Sequence, residues 1–208
     1  MGDATAMTQF PPFLEETDDT RDAIMRATYV ALCEHGYNEL TIQRIGDEFS
    51  KSKSLLYHHY DSKDDLLLDF LSFMLDQLEG QIPTYRAGGA DDHIAEIVEQ
   101  TFDLGVAEMG TDFTRALVEL RAQAAHDEGY REHFTRSDQF VRKHVAHTIR
   151  SGIEQGVFRD VDPQETAALF QLVFVGTMTQ RVTSDDDILE DGRSAFERYV
   201  RECLLEAE

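Results

Sequence analysis

"IMRATYVALCEHGYNELTIQRIGDEFSKSKSLLYHHYDSKDDLL" occupies residues 24–67, and its reading decides the fold. Ile24, Ala27, Thr28, Ala31 and Leu32 recur at helical spacing. Thr20 is the expected cap of that run and Gly36 its expected end. Thr41 caps a short second helix, IQRIGDEF, and a third, SKSLLYHHY, follows a tight break near Ser50. Ser62 with Asp65 forms an S-x-x-D capping box that opens a longer helix, DDLLLDFLSFMLDQLE. A long helix followed by two short ones across a tight turn is the helix-turn-helix arrangement.

Outward from this stretch the chain of 208 residues reads as all helix, with no credible strand run. "IPTYRAGGADD" (82–92) is the clearest internal break, through Pro83 and Gly88-Gly89. Helical patterns cover about 91–109, 111–127 and 129–156. "VDPQE" (161–165) is a start signal, with Asp162 as cap, Pro163 in the first helical position and Glu165 completing the box. "SDDD" (184–187) is the expected opening of the last helix, making about nine in all. The longest uncharged run, Thr166 to Gln180, is too short to span a bilayer and reads as a buried helix.

Residues 1–17 read as a flexible leader; with Asp3, Glu15 and Glu16 and no base before Arg21 they do not form a secretory signal. Cys33 and Cys203 are too few for a disulfide scaffold and imply reduced thiols in a cytoplasmic protein. The net charge is −22, with the acids spread along the chain and fifteen arginines to four lysines. An evenly acidic, lysine-poor surface suits a salt-rich cytoplasm, because dense salt screens its self-repulsion. Against that background Arg44, Lys51 and Lys53 outnumber Asp47 and Glu48, so residues 41–60 carry +1 while the rest of the chain carries −23.

Residues 24–67 resemble the N-terminal domain of the tetracycline-repressor (TetR) family of transcriptional regulators. The resemblance rests on Gly36-Tyr37 at the end of the first helix, Thr41 and Ile45-Gly46 in the second, and Leu56, Tyr57 and Tyr60 in the third. Ser62-Lys63 and Leu66-Leu67 follow in register. Phe49-Ser50-Lys51-Ser52 departs from the usual Ala-Gly-Val-Ser turn: Ser50 is strained if it must take a positive φ, and Lys51 replaces an inward apolar side chain.

The resemblance implies a helix-turn-helix DNA-binding domain over 18–62 and a helical ligand-binding and dimerisation domain over 63–208. Thr41, Gln43, Arg44, Ser52, Lys53, Ser54, Leu55, Tyr57, His58 and Lys63 are then the expected contacts to an inverted-repeat operator in double-stranded DNA. Cations and hydroxyls suit phosphate oxygens, and Lys53, Ser54, Leu55 and His58 face the major groove, where Leu55 can meet a thymine methyl. The implied homodimer uses Leu169, Phe170, Val173, Phe174, Thr177 and Met178 beside Phe196, Tyr199, Val200 and Cys203. Its small lipophilic ligand would lie against Phe102, Val106, Met109, Phe113, Leu117, Leu120, Gln123 and His144. The expected action is repression, relieved when the ligand binds. An alternative is a helical dimer whose degenerate DNA-binding domain serves protein contacts or another non-DNA role.

His144 and His147 share a helix face, but no third ligand stands at metal spacing, and neither a phosphate loop, a CxxC nor a nucleophile elbow is present. An enzyme, a cofactor, a metal and a membrane association are therefore not expected.

Overall fold

A computed structural model describes Leu14 and residues 19–81, 89–103 and 110–206. Val106, Met109, most of the leader and most of the 82–92 break lie outside the described residues. The described chain is helical: α1 (Thr20–Glu39), α2 (Ile42–Glu48), α3 (Ser54–His59), α4 (Lys63–Gln81), α5 (Ala90–Asp103), α6 (Gly110–Gln123), α7 (Glu128–Gln155), α8 (Pro163–Thr183) and α9 (Leu189–Tyr199). A π-helical turn, Val200–Leu204, prolongs α9, and the one extended pairing among the described residues is an isolated bridge between Phe158 and Leu205.

Local chemistry sets most of the boundaries. Asp19, not Thr20, caps α1: its Oδ1 accepts from Asp22 N at 2.9 Å, and Thr20 becomes the first helical residue. A carboxylate one position earlier reaches the free N–H groups and suits the positive helix end. Gly36 does not end α1 but kinks it at φ 66, and the helix resumes to Glu39. Thr41 caps α2 by accepting from Arg44 N at 3.2 Å. The Ser62 box forms in part: Ser62 Oγ accepts from Asp65 N at 3.0 Å, while the Asp65 carboxylate reaches back to Asp61 N. Asp162 accepts from both Gln164 N and Glu165 N, a cap worth roughly 1 kcal/mol. "SDDD" does not open α9. Ser184 terminates α8 by donating its N–H to Gln180 O, and α9 begins at Leu189.

The chain divides into two compact units. The first lies within Met1–Gln77 and Gly105–Tyr130, the second within Leu78–Leu104 and Arg131–Glu208. In the first, α1 packs on α2 and α6. Tyr29, Phe70 and Phe113 form an aromatic centre, with Phe113 at 4.9 Å from Tyr29 and 6.2 Å from Phe70 between ring centroids. Ile45 of α2 and Leu56 of α3 are fully buried, and these apolar anchors set the two short helices. Too short to be stable alone, they depend on this packing. In the second unit one buried cluster joins Ile94, Val98 and Phe102 of α5, Val145 and Ile149 of α7, Phe170 of α8 and Phe196 of α9. Phe158 packs on Gly152, where any Cβ would collide with its ring.

Candidate nucleic-acid interface

The turn between α2 and α3 is built without a positive φ at any non-glycine residue among those described, so Ser50 is unstrained. Lys51 does not tuck inward in place of an apolar side chain. It is exposed, and its Nζ donates to Thr20 Oγ1 at 3.0 Å, tying the turn to the start of α1. Ser52 and Ser54 share a hydroxyl hydrogen bond of 2.8 Å at the start of α3.

Around this turn lie the expected DNA contacts. Thr41, Gln43, Ser52, Lys53, Ser54, Tyr57 and His58 are exposed, Arg44 and Leu55 half-buried. Tyr57 is 59% exposed, a large aromatic held out to solvent rather than a core residue. The cations carry partners within the chain. Arg44 donates to Glu39 O at 2.6 Å and to its carboxylate at 3.1 Å, and Lys53 is paired with Asp47. Gly46 makes room for that pairing: a Cβ there would stand 3.2 Å from Lys53 Cγ and Cδ.

Lys63 differs in kind. It is half-buried, donates to Tyr37 O at 3.0 Å and sits 3.8 Å from the Tyr37 ring centroid, a cation–π contact. Its ammonium fastens the end of α1 to the start of α4. Tyr37 is the hub of this fastening. Its N–H donates to Glu119 Oε2 at 2.6 Å, and its hydroxyl and that of Tyr130 both donate to Asp64 Oδ1, at 3.0 and 2.8 Å. Burial, then the bond to Asp64, pushes the Tyr37 phenol up to about 12. A second network holds the end of α3: Tyr60 donates to Asp69 at 2.6 Å, and Arg21 donates to Asp69 at 2.7 Å. Burial opposes ionisation of Asp69, but the bonds from Arg21 and Tyr60 outweigh it and leave its pKa below the ordinary carboxylate value. Glu119, Asp64, Tyr130 and Asp69 are the positioning residues that sequence reading missed. Glu119 and Tyr37 are 82 positions apart, and no local pattern links them.

A hydroxyl- and cation-bearing face on a helix-turn-helix is the geometry of a DNA reader, and family models match it. The model for bacterial regulatory proteins of the tetR family matches residues 24–70, and that for the C-terminal part of BetI-type transcriptional repressors matches 90–205, more than half of the chain. The chain belongs to the TetR family. It is a transcriptional regulator of BetI type in its C-terminal part, not an enzyme.

A TetR transcription regulator from Haloarcula marismortui superposes with a TM-score of 0.79 at 33% identity, over 90% of this chain and 100% of that one. A regulator from Saccharomonospora viridis, solved in complex with choline, superposes with a TM-score of 0.78 at 21% identity, over 92% and 100%. BetI of Stenotrophomonas maltophilia is 29% identical over 86 residues, covering 40% of this chain and 44% of the relative. BetI 2 of Chromohalobacter salexigens is 31% identical over 87 residues, covering 40% and 42%. The matched segment thus spans less than half the length of these curated relatives.

In this TetR chain the expected ligand contacts fall into both units. Phe113 and Leu120 are buried in the first, with Leu117 half-buried, and Gln123 donates to Glu119 O. Phe102 is buried in the second, where it accepts a hydrogen bond from Arg181 through its carbonyl. His144, also in the second, meets His93 rather than His147, with Nε2 to Nε2 at 2.8 Å. Burial, with His93 and His147 nearby, lowers the His144 pKa.

The expected dimer face divides by burial. Phe170, Thr177, Met178, Phe196 and Val200 are buried, and Phe170, Phe196 and Val200 belong to the cluster shared by α5, α7, α8 and α9. Leu169 and Cys203 are exposed, and Val173, Phe174 and Tyr199 half-buried. Leu172, 71% exposed, lies on α8 beside them and was not anticipated. Cys33 is withdrawn by contrast, its thiol pushed up to about 12 by burial. No helix of the described residues is long and apolar enough to cross a membrane.

Proposed function

We propose that this TetR regulator is a cytoplasmic repressor that binds an inverted-repeat operator as a homodimer and is released by a small ligand. The observation that carries this reading is the exposed Thr41, Ser52, Lys53, Ser54 and Tyr57 set around the α2–α3 turn, in a chain that is otherwise strongly acidic. One short helix reads too few base pairs to be specific, so two copies related by symmetry are needed. The accessible α8–α9 residues Leu169, Leu172, Val173, Phe174 and Tyr199 support that pairing. Apolar side chains such as Leu117 favour a lipophilic ligand. Choline, held by the Saccharomonospora viridis neighbour, is the second class to test, since an acidic chain favours a cation.

Counterion release weakens DNA binding as salt rises, while screening relieves the repulsion between DNA and a dimer of −44. The proposed host is a salt-rich cytoplasm, where the second effect is strong. Selection from a random double-stranded DNA library in molar KCl tests the function; enrichment of an inverted repeat is expected, and absence of any enriched sequence refutes it. Affinity for that repeat should then depend on salt more shallowly than its phosphate contacts imply. Lys53→Ala weakens all sites alike if Lys53 holds a phosphate, and relaxes discrimination if it reads a base.

A further inference from the structure

His93 on α5 and His144 on α7 meet head-on, Nε2 to Nε2 at 2.8 Å, with their ring planes at 85°. Such a contact is a hydrogen bond only while one of the two nitrogens keeps its lone pair. Two neutral rings satisfy it, and so does a neutral ring facing an imidazolium. Two imidazolium rings do not, because each presents an N–H to the other and two positive charges share one point. The closed pair therefore takes up one proton but resists a second. Its place in the fold makes that limit consequential. His93 precedes Ile94 and His144 precedes Val145, and both apolar residues belong, with Val98, Ala146 and Ile149, to one buried cluster. The imidazoles thus sit at the edge of the apolar seam between α5 and α7, with the His93 side chain only 14% exposed.

We propose that the His93–His144 pair is a proton-operated latch between α5 and α7, closed with up to one added proton and opened by a second. The charges around the pair set the order of the two protons. Glu96, one turn along α5, holds Oε2 3.7 Å from His93 Nδ1, beyond hydrogen-bond reach but near enough for its charge to favour the first proton on His93. His147, one turn along α7, adds only a like charge when protonated. Helices α8 and α9 bring Arg181 and Arg193 to Phe102 and Asp103, at the opposite end of α5. Burial, then His93 and His147, lower the His144 pKa, so His144 is where the second proton is resisted. An imidazole freed into water protonates at about 6.5, so the open state binds a proton that the closed state refuses. Opening therefore grows as pH falls below that value, by up to about tenfold per unit for the one proton taken up. The latch lies within the BetI-type C-terminal part and gives it a proton input that depends on neither the operator nor the proposed ligand.

The test is amide hydrogen exchange of the full-length chain in molar KCl at about pH 7.5, 6.5 and 5.5, a range that brackets histidine protonation. A His133→Gln parent is used, so that the buried His133 does not contribute. With exchange corrected for its intrinsic pH dependence, amides around Ile94, Val98, Val145 and Ile149 should lose protection by up to about tenfold between the two lower values. Those around Ile24 and Leu120, in the first unit, should keep theirs. His144→Gln should remove the loss, because an amide accepts from an imidazolium and donates to a neutral ring alike. His93→Gln should do the same from the other helix, and circular dichroism at neutral pH shows whether each variant is folded. Imidazole nitrogen spectra of the parent should show the pair titrating in two steps, the second coinciding with the loss of protection. The latch is overturned if the seam stays protected at the lowest pH, or if folded glutamine variants lose protection as the parent does. Full charging of both imidazoles in a seam that remains protected overturns it as well. Should neither variant fold, exchange and spectra of the parent decide.

Discussion

Lys53 lies across Gly46, its Cγ and Cδ 3.2 Å from where a Cβ would stand, and its ammonium is paired with Asp47, the next residue of α2. A lysine suited to phosphate is thus held by an acid on the neighbouring helix. In the proposed complex a DNA phosphate takes the place of Asp47 at the Lys53 ammonium. Asp47→Asn removes that competitor and one like charge facing DNA. An exposed ion pair is worth roughly 0–1 kcal/mol, so we expect affinity for any duplex to rise by up to about fivefold. Fluorescence anisotropy with operator and unrelated duplexes checks this, and unchanged binding would show that Asp47 does not restrain Lys53.

Gly46→Ala separates stability from recognition. Alanine is favoured over glycine inside a helix by about 1 kcal/mol. The obstructing atoms belong to the flexible, exposed Lys53 stem, with Leu56 Cδ1 at 3.4 Å. The variant should melt at a slightly higher temperature while binding DNA more weakly, because Lys53 is pushed off its path. A lower melting temperature would mean that Leu56 cannot yield.

Gly36→Ala acts on the α1 kink. A non-glycine residue held at positive φ costs of order 1–3 kcal/mol, and the new Cβ would meet Glu119 Oε2 at 3.0 Å. Denaturant unfolding should show that loss. In a Glu119→Ala background the steric part disappears, so the penalty of Gly36→Ala should shrink; strict additivity would contradict the contact.

Acid stability carries a signature of His133. Burial, with Arg136 adding to it, pushes this imidazole down to about 4. An unfolded histidine protonates near about 6.5, so across that interval the unfolded state binds more protons and stability falls as pH falls. His133→Gln should flatten the denaturation profile between about pH 6.5 and 4 relative to the wild type. Parallel profiles would place His133 in contact with water.

Much of the fold was legible because its signals are local. Thr41, Ser62 and Asp162 cap helices where their side chains suggested, since a cap concerns a residue and the backbone two or three positions on. Two local readings failed for equally local reasons: Asp19 outcompetes Thr20 as a cap, and Ser184 ends a helix instead of opening one. Lys51 looked anomalous because its partner, Thr20, lies 31 positions away. The α8 residues were ambiguous because an apolar helix does not declare which side faces its own core. Burial of Phe170 and Met178 beside an exposed Leu172 makes that division.

The amino-acid sequence by itself determined the helical class, the helix-turn-helix and the family resemblance, since periodicity, capping and an ordered motif all operate within a few turns of chain. Tertiary structure alone decided which partners these polar side chains take. Tyr37 with Glu119 and Lys63, Lys53 with Asp47, and His93 with His144 join different helices. Such pairings follow from how apolar faces pack, and packing brings together side chains that no spacing along the chain connects.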